Sequence, residues 1–225
     1  MTIKRRKLIK TLGVAAIASQ LPISAALASR SSIKPPRLKP GDTIGIIAPA
    51  GIVEPESIEP ITQKLATLEL KVKLGNHLLD RYGYLAGKDR DRAADINAMF
   101  ADKSVQAILA MRGGWGCNRI LPLLDYTLIR HHPKIIMGLS DITALLLAIY
   151  AKTNLITFHS LTGTSSWNEF SVDYLRRILF NGEAVTMQNP TNTDLRVETI
   201  RGGKARGKLI GGNLSVLAAM AGSSY

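Results

Sequence analysis

Apolar residues along this chain fall into short β-branched runs, separated by stretches where they recur every three or four positions. Thr43-Ile44-Gly45-Ile46-Ile47-Ala48 is the first run and stops at Pro49-Ala50-Gly51, so it reads as a buried strand. Residues 71–74, 105–111, 134–137 and 155–158 repeat the pattern and predict four more strands. Between them, Ile58, Ile61, Leu65 and Leu68 lie at helical spacing, as do Ala93, Ile96, Met99 and Phe100. Further helices are predicted to start at Asn118, over the strongly apolar 142–151, and over 174–180. Strands that alternate with helices predict an α/β fold, an open and mostly parallel sheet flanked by helices on both faces. Chemistry in such a sheet gathers at the carboxyl ends of the strands.

The pattern changes at both ends. Residues 29–42 are polar and Pro-rich and read as a linker into a domain at 43–181. Beyond residue 181 the chain turns polar and strand-like over 185–197, then Gly- and Lys-rich over 201–208. An apolar helix is expected from Leu214 to Ala221. Residues 182–225 read as the start of an incomplete, β-rich second domain. At the N-terminus, Lys4, Arg5, Arg6, Lys7 and Lys10 precede a mild apolar run that ends in Ala26-Leu27-Ala28. A basic zone, a short apolar zone and a small–x–small site make a secretory signal over 1–28. The pair Arg5-Arg6 gives it a twin-arginine character. An exported, periplasmic protein is expected, with no stable membrane span, because the run is short and interrupted by Pro22.

The formal charge of the 225 residues is +12, and the signal accounts for five of those charges. The rest are scattered among acids, which argues against a nucleic-acid partner. One Cys and four His exclude a disulfide framework and leave little from which to build a metal site, so no metal or cofactor is expected.

Three post-strand segments can carry chemistry. In Gly138-Leu139-Ser140-Asp141, Ser140 stands where a strand turns into a helix. It is either the N-cap of that helix or a nucleophile raised above the sheet, with the Asp141 N–H facing a developing oxyanion. In Arg112-Gly113-Gly114-Trp115-Gly116, adjacent glycines let backbone N–H groups approach an anion. The alternative is an ordinary Gly turn. Arg119 stands where a dinucleotide fingerprint needs Gly, and no P-loop occurs. His159 ends the fifth strand and reads either as a structural residue or as part of the same pocket edge. Cys117 reads as a buried, inert thiol. His77, His131 and His132 read as solvated residues of linking segments.

Seven stretches, in order, resemble the LD-carboxypeptidases, a family of serine peptidases. They are 36–50, Tyr84-Leu85-Ala86-Gly87-x-Asp89-x-x-Arg92-Ala93, 112–119, Leu124-Asp125-Tyr126, 133–143, Thr157-Phe158-His159 and Gly211-Gly212-Asn213-Leu214. The resemblance implies an α/β nucleophile domain followed by a β-barrel-like domain. It also implies hydrolysis of the bond that holds the terminal D-Ala of murein tetrapeptides; some relatives instead cleave peptide–nucleotide antibiotics. By resemblance, Ser140 is the nucleophile, and the N–H groups of Gly113, Gly114 and Asp141 form the oxyanion hole. The murein peptide is then the partner, and a homodimer is left open. The family's triad Glu and His lie beyond the Gly-Gly-Asn segment, and this sequence stops at Tyr225, so neither maps here. Neither His159 nor Glu169 is put in their place. The chain as given is expected to be inactive or nearly so, or to act as a murein-binding remnant. Where the family commonly continues Thr-Phe-His with Gly-Pro, this chain has Ser160-Leu161.

Overall fold

A computed structural model describes residues 31–188 and 198–225. The signal-like segment 1–28 and most of the strand-like stretch 185–197 lie outside the described residues.

Five parallel strands form one sheet: β1 (Thr43–Ile47), β2 (Lys71–Leu74), β3 (Ala107–Ala110), β4 (Ile135–Gly138) and β5 (Phe158–His159), in the order β2-β1-β3-β4-β5. The fifth strand is shorter than the apolar run suggests, because Leu155 instead bridges to Ile33 in the segment leading into the fold. Strand order reverses between β1 and β3, so their carboxyl ends open a crevice.

Side chains alternate across the sheet with period two. Ile44, Ile46, Ala107, Leu109, Ile135 and Met137 enter one core, and Ile47, Ile108, Ala110 and Ile136 enter the other. The first core is closed by α1 (Ile58–Ala66) and by residues 175–179. The second is closed by α2 (Asp89–Ala101), the short α3 (Cys117–Ile120), α4 (Tyr126–His131) and α5 (Ile142–Thr153). Edge strand β2 carries exposed Lys71 and Lys73, which discourage pairing with another sheet. After β5, α6 (Glu169–Leu175) runs into a π-helical turn, Arg176–Phe180.

Helix α4 is absent from the sequence reading. Its six residues carry no sustained periodicity, and it forms because the Asp125 side chain accepts the Leu128 N–H at 2.8 Å. His131 is therefore the last residue of a helix and not part of a link. The final helix, α7 (Leu214–Met220), packs on α5, with Met220 buried in the second core and the Asn213 N–H donating to Thr143 Oγ1 at 3.0 Å. No strand occurs among the described residues of 182–225.

Lys134, just before β4, is buried, and its ammonium donates to the carbonyl oxygens of Met99 (2.8 Å) and Asp102 at the end of α2. Burial pulls its pKa down to about 8. The folded chain therefore holds fewer protons at this site than the unfolded one between about pH 8 and the free-lysine value. Stability contributed by Lys134 rises with pH through that window, by up to about 3 kcal/mol. Thermal melts of wild type and Lys134→Met between pH 7 and 10 test this. The wild type is expected to gain on the variant as pH rises. A constant or shrinking difference contradicts it. Cys117, whose thiol burial pushes well above its ordinary value, has the opposite pH dependence, but it is common to both proteins and cancels.

Candidate active site

Ser140 occupies the turn from β4 to α5 with φ of +64°, a left-handed conformation that costs a residue with a Cβ about 1–2 kcal/mol. It is exposed, and no hydrogen bond ties its hydroxyl to another described group. The capping expectation is thereby corrected. The N-cap of α5 is Asp141, and no helix N–H donates to the Ser140 hydroxyl. Gly138 is required by the same turn, since a Cβ there would fall 2.6 Å from Ile142. A strained, exposed Ser between a strand and a helix is the geometry of a nucleophile elbow.

The loop after β3 lies directly against this turn. A Cβ on Gly113 would sit 2.9 Å from Ser140 Cβ and 3.3 Å from its Oγ. Only Gly admits so close an approach. The N–H groups of Gly113, Gly114 and Asp141 have no acceptor among the described residues. The Gly113 carbonyl accepts the Gly51 N–H at 3.2 Å, which joins this loop to the one after β1 across the crevice.

Two buried side chains with no role assigned from sequence hold the loop. Asp141 Oδ2 accepts the Cys117 N–H at 2.9 Å. Arg92, on α2, is almost wholly buried. Its guanidinium donates to the carbonyls of Pro49 and Gly116 (3.2 Å to the latter) and to the Asp89 carboxylate, which also receives Arg119 at 3.0 Å. The Arg92 and Arg119 guanidiniums keep the Asp89 carboxyl below its ordinary range, with Arg119 the larger influence. The one available signal was the placement of Arg92 and Asp141 in motif stretches. Apart from Asp89, one helical turn before Arg92, their partners are distant in sequence, so spacing could not reveal them.

His159 is brought to the neighbouring strand, in register with Gly138, and is largely exposed, while partial desolvation holds its imidazole below the ordinary value. With Leu139 and Phe158 it lines an apolar groove of about 860 Å³ that continues past Tyr150 and Phe170 to Leu209. No histidine is hydrogen-bonded to Ser140 among the described residues. Cys117 is fully buried, as expected of an inert thiol. His77 is half-buried rather than solvated, with Nδ1 2.8 Å from an Asp80 carboxylate oxygen that raises its pKa. Among the described residues, His77, Asp80 and Asp91 alone bring metal-ligating atoms within 4.8 Å of one another, and β1 and β3 separate them from β4. No described helix is long and apolar enough to cross a membrane.

Known proteins show the same sheet and loops. The chain is 40% identical over 193 residues to a protein of Bacillus subtilis named as a probable murein peptide carboxypeptidase, covering 85% of this chain and 60% of that one. It is 31% identical over 186 residues to the murein tetrapeptide carboxypeptidase of Pseudomonas aeruginosa, covering 80% of this chain and 60% of the other. The solved structure of the microcin C7 self-immunity protein MccF with aspartyl sulfamoyl adenosine superimposes with a TM-score of 0.73 at 27% identity, over 85% of this chain and 66% of that one. The chain thus spans about three-fifths of the length of the curated relatives it matches. The LD-carboxypeptidase N-terminal domain matches residues 44–160, the stretch that carries β1 to β5, the Gly113–Gly114 loop and Ser140, and the chain belongs to the LD-carboxypeptidase family.

Proposed function

We propose that the whole protein is a serine-type carboxypeptidase that releases the terminal D-Ala from murein tetrapeptides. The observation that carries this reading is Ser140, strained and exposed, with Gly113 packed against it and no acceptor for the N–H groups of Gly113, Gly114 and Asp141 among the described residues. Ser140 Oγ attacks the carbonyl carbon before the D-residue, and its proton passes to a general base. The N–H groups of Gly113, Gly114 and Asp141 hold the tetrahedral oxyanion. The amine of D-Ala leaves with the proton, and water cleaves the acyl-enzyme. In our reading the base is the His–Glu pair that the family resemblance places after Gly211-Gly212-Asn213. The 225 residues alone are then expected to turn over substrate slowly, if at all. The basic, apolar and Ala26-Leu27-Ala28 zones support export, which puts the protein where murein is.

A second reading, cleavage of peptide–nucleotide conjugates, is favoured by the likeness to MccF. That likeness is 30% identity in the Escherichia coli sequence, against 40% for the murein peptide carboxypeptidase. The test is to incubate the whole protein with a tetrapeptide ending in D-Ala, its L-Ala counterpart and aspartyl sulfamoyl adenosine, and to follow the products by mass. Release from the D-Ala peptide alone is expected. Cleavage of the adenosine conjugate with the tetrapeptide intact supports the second reading, and cleavage of none removes both.

A further inference from the structure

We propose that the carboxylate of Asp141, distinct from its backbone N–H, is a positioning residue that sets the distance between the Ser140 hydroxyl and the oxyanion-binding loop. This rests on the reading of Ser140 as nucleophile. Among the described residues, Cys117 and the Asp141 carboxylate form the only hydrogen-bonded link between residues 112–117 and residues 138–142: the Cys117 N–H donates to Asp141 Oδ2 at 2.9 Å, and the Cys117 thiol bonds to the same carboxylate. It bridges 24 residues of sequence and is buried. The β3–β4 ladder ends earlier, at Leu109 and Met137, so the sheet does not fix the two loops against each other at the site. Every other hydrogen bond on the glycine loop ties it away from Ser140. Gly113 is bonded to Gly51, Arg112 to the Ile52 carbonyl at 3.1 Å, and Gly116 to Arg92. Without the Asp141 carboxylate, no hydrogen bond would tie the glycine loop to the Ser140 turn, and packing alone, at Gly113 and of α3 against α5, would hold the two together.

The position of the strut explains why such a bond matters. Asp141 is the residue next to Ser140, and Cys117 opens α3 directly after the loop. A shift in the bond therefore moves donor and nucleophile relative to each other with no intervening flexible segment. Oxyanion donors act only when they lie about 2.7–3.1 Å from the developing charge, and displacement by about 1 Å costs on the order of 100-fold in rate. The main-chain N–H of Asp141 is retained in any substitution, so the side-chain role can be measured separately.

The experiment compares the whole protein with Asp141→Ala and Asp141→Asn, the second of which keeps an oxygen able to accept the Cys117 N–H. For Asp141→Ala, kcat for D-Ala release is expected to fall by about 100-fold or more, with KM changed by less than about 3-fold. Asp141→Asn is expected to stay within about 10-fold of wild type. Hydrogen exchange at the Cys117 amide should quicken in the Ala variant and remain slow in the Asn variant. Wild-type kcat in the Ala variant overturns the proposal. So does an Asn variant that falls as far as Ala while Cys117 stays protected in both. Failure of the nucleophile assignment is separate: turnover that survives Ser140→Ala removes Ser140, and the link between the loops is then decided by Cys117 exchange alone.

Discussion

Ser140→Ala is expected to lower D-Ala release by the whole protein by about 10⁴-fold or more, while leaving the fold as stable as before. The size of the loss follows from covalent catalysis. Without the hydroxyl no acyl-enzyme forms, and only the oxyanion donors and substrate binding remain, which leave about 10³–10⁴-fold over water. The preserved stability follows from the structure. The hydroxyl has no partner among the described residues and Ser140 is exposed, so its removal leaves no buried group unsatisfied. Ser140→Gly extends the argument. A φ of +64° is costly for Ser and Ala and cheap for Gly, so the Gly variant is expected to gain up to about 1 kcal/mol in urea unfolding, part of the relief being offset by greater freedom of the unfolded chain. An inactive variant that is more stable than wild type would mean that the strain is retained for chemistry. Turnover within 10-fold of wild type in Ser140→Ala, or a loss of more than about 2 kcal/mol, would show instead that Ser140 serves the fold.

The three central strands were legible because a parallel sheet buries both of their faces, so each of them is a short, almost unbroken apolar run. Ile44 to Ile47, 107–110 and 135–138 could hardly be read otherwise. Helix α4 was not legible, because one Asp125 cap rather than a periodic face supports it. At the site, the sequence placed Ser140 and the Gly113–Gly114 loop on adjacent strand ends but could not choose between cap and nucleophile. That choice depends on the backbone angle at Ser140, in a turn where Gly138 and Ile142 approach too closely to admit a Cβ. The Asp141 and Arg92 links were invisible for a different reason. Apart from the Asp89 carboxylate, one helical turn before Arg92, their partners are backbone atoms of residues 24 and 43 positions away, and a backbone carbonyl or N–H carries no sequence signature.

Arg92→Met is expected to cost about 3–5 kcal/mol. Arg92 heads the fully buried side chains by volume, and its fork joins the carbonyls of Pro49 and Gly116 to the Asp89 carboxylate. A buried ion pair often contributes little net stability, because desolvation offsets attraction. Removing one partner is another matter: the Gly116 carbonyl keeps only the Arg119 N–H at 3.2 Å and the Pro49 carbonyl only a thiol contact from Cys117 at 3.9 Å, and a buried carbonyl left under-satisfied costs about 1–3 kcal/mol. Two features moderate the loss. Asp89 is partly exposed and keeps Arg119. Arg92 Nε is already buried without a partner, so its own penalty disappears with the side chain. These corrections favour the lower end of the range, which is still a large share of the roughly 5–15 kcal/mol that holds a domain together. Arg92→Lys restores charge but not the planar fork, so it can reach one carbonyl and not both, and about half the loss is expected to return. Urea unfolding of the three proteins measures the series. If Met and Lys fall together within about 1 kcal/mol of wild type, the carbonyls of Pro49 and Gly116 find other donors, and the loops at the mouth of the sheet are not held by this side chain.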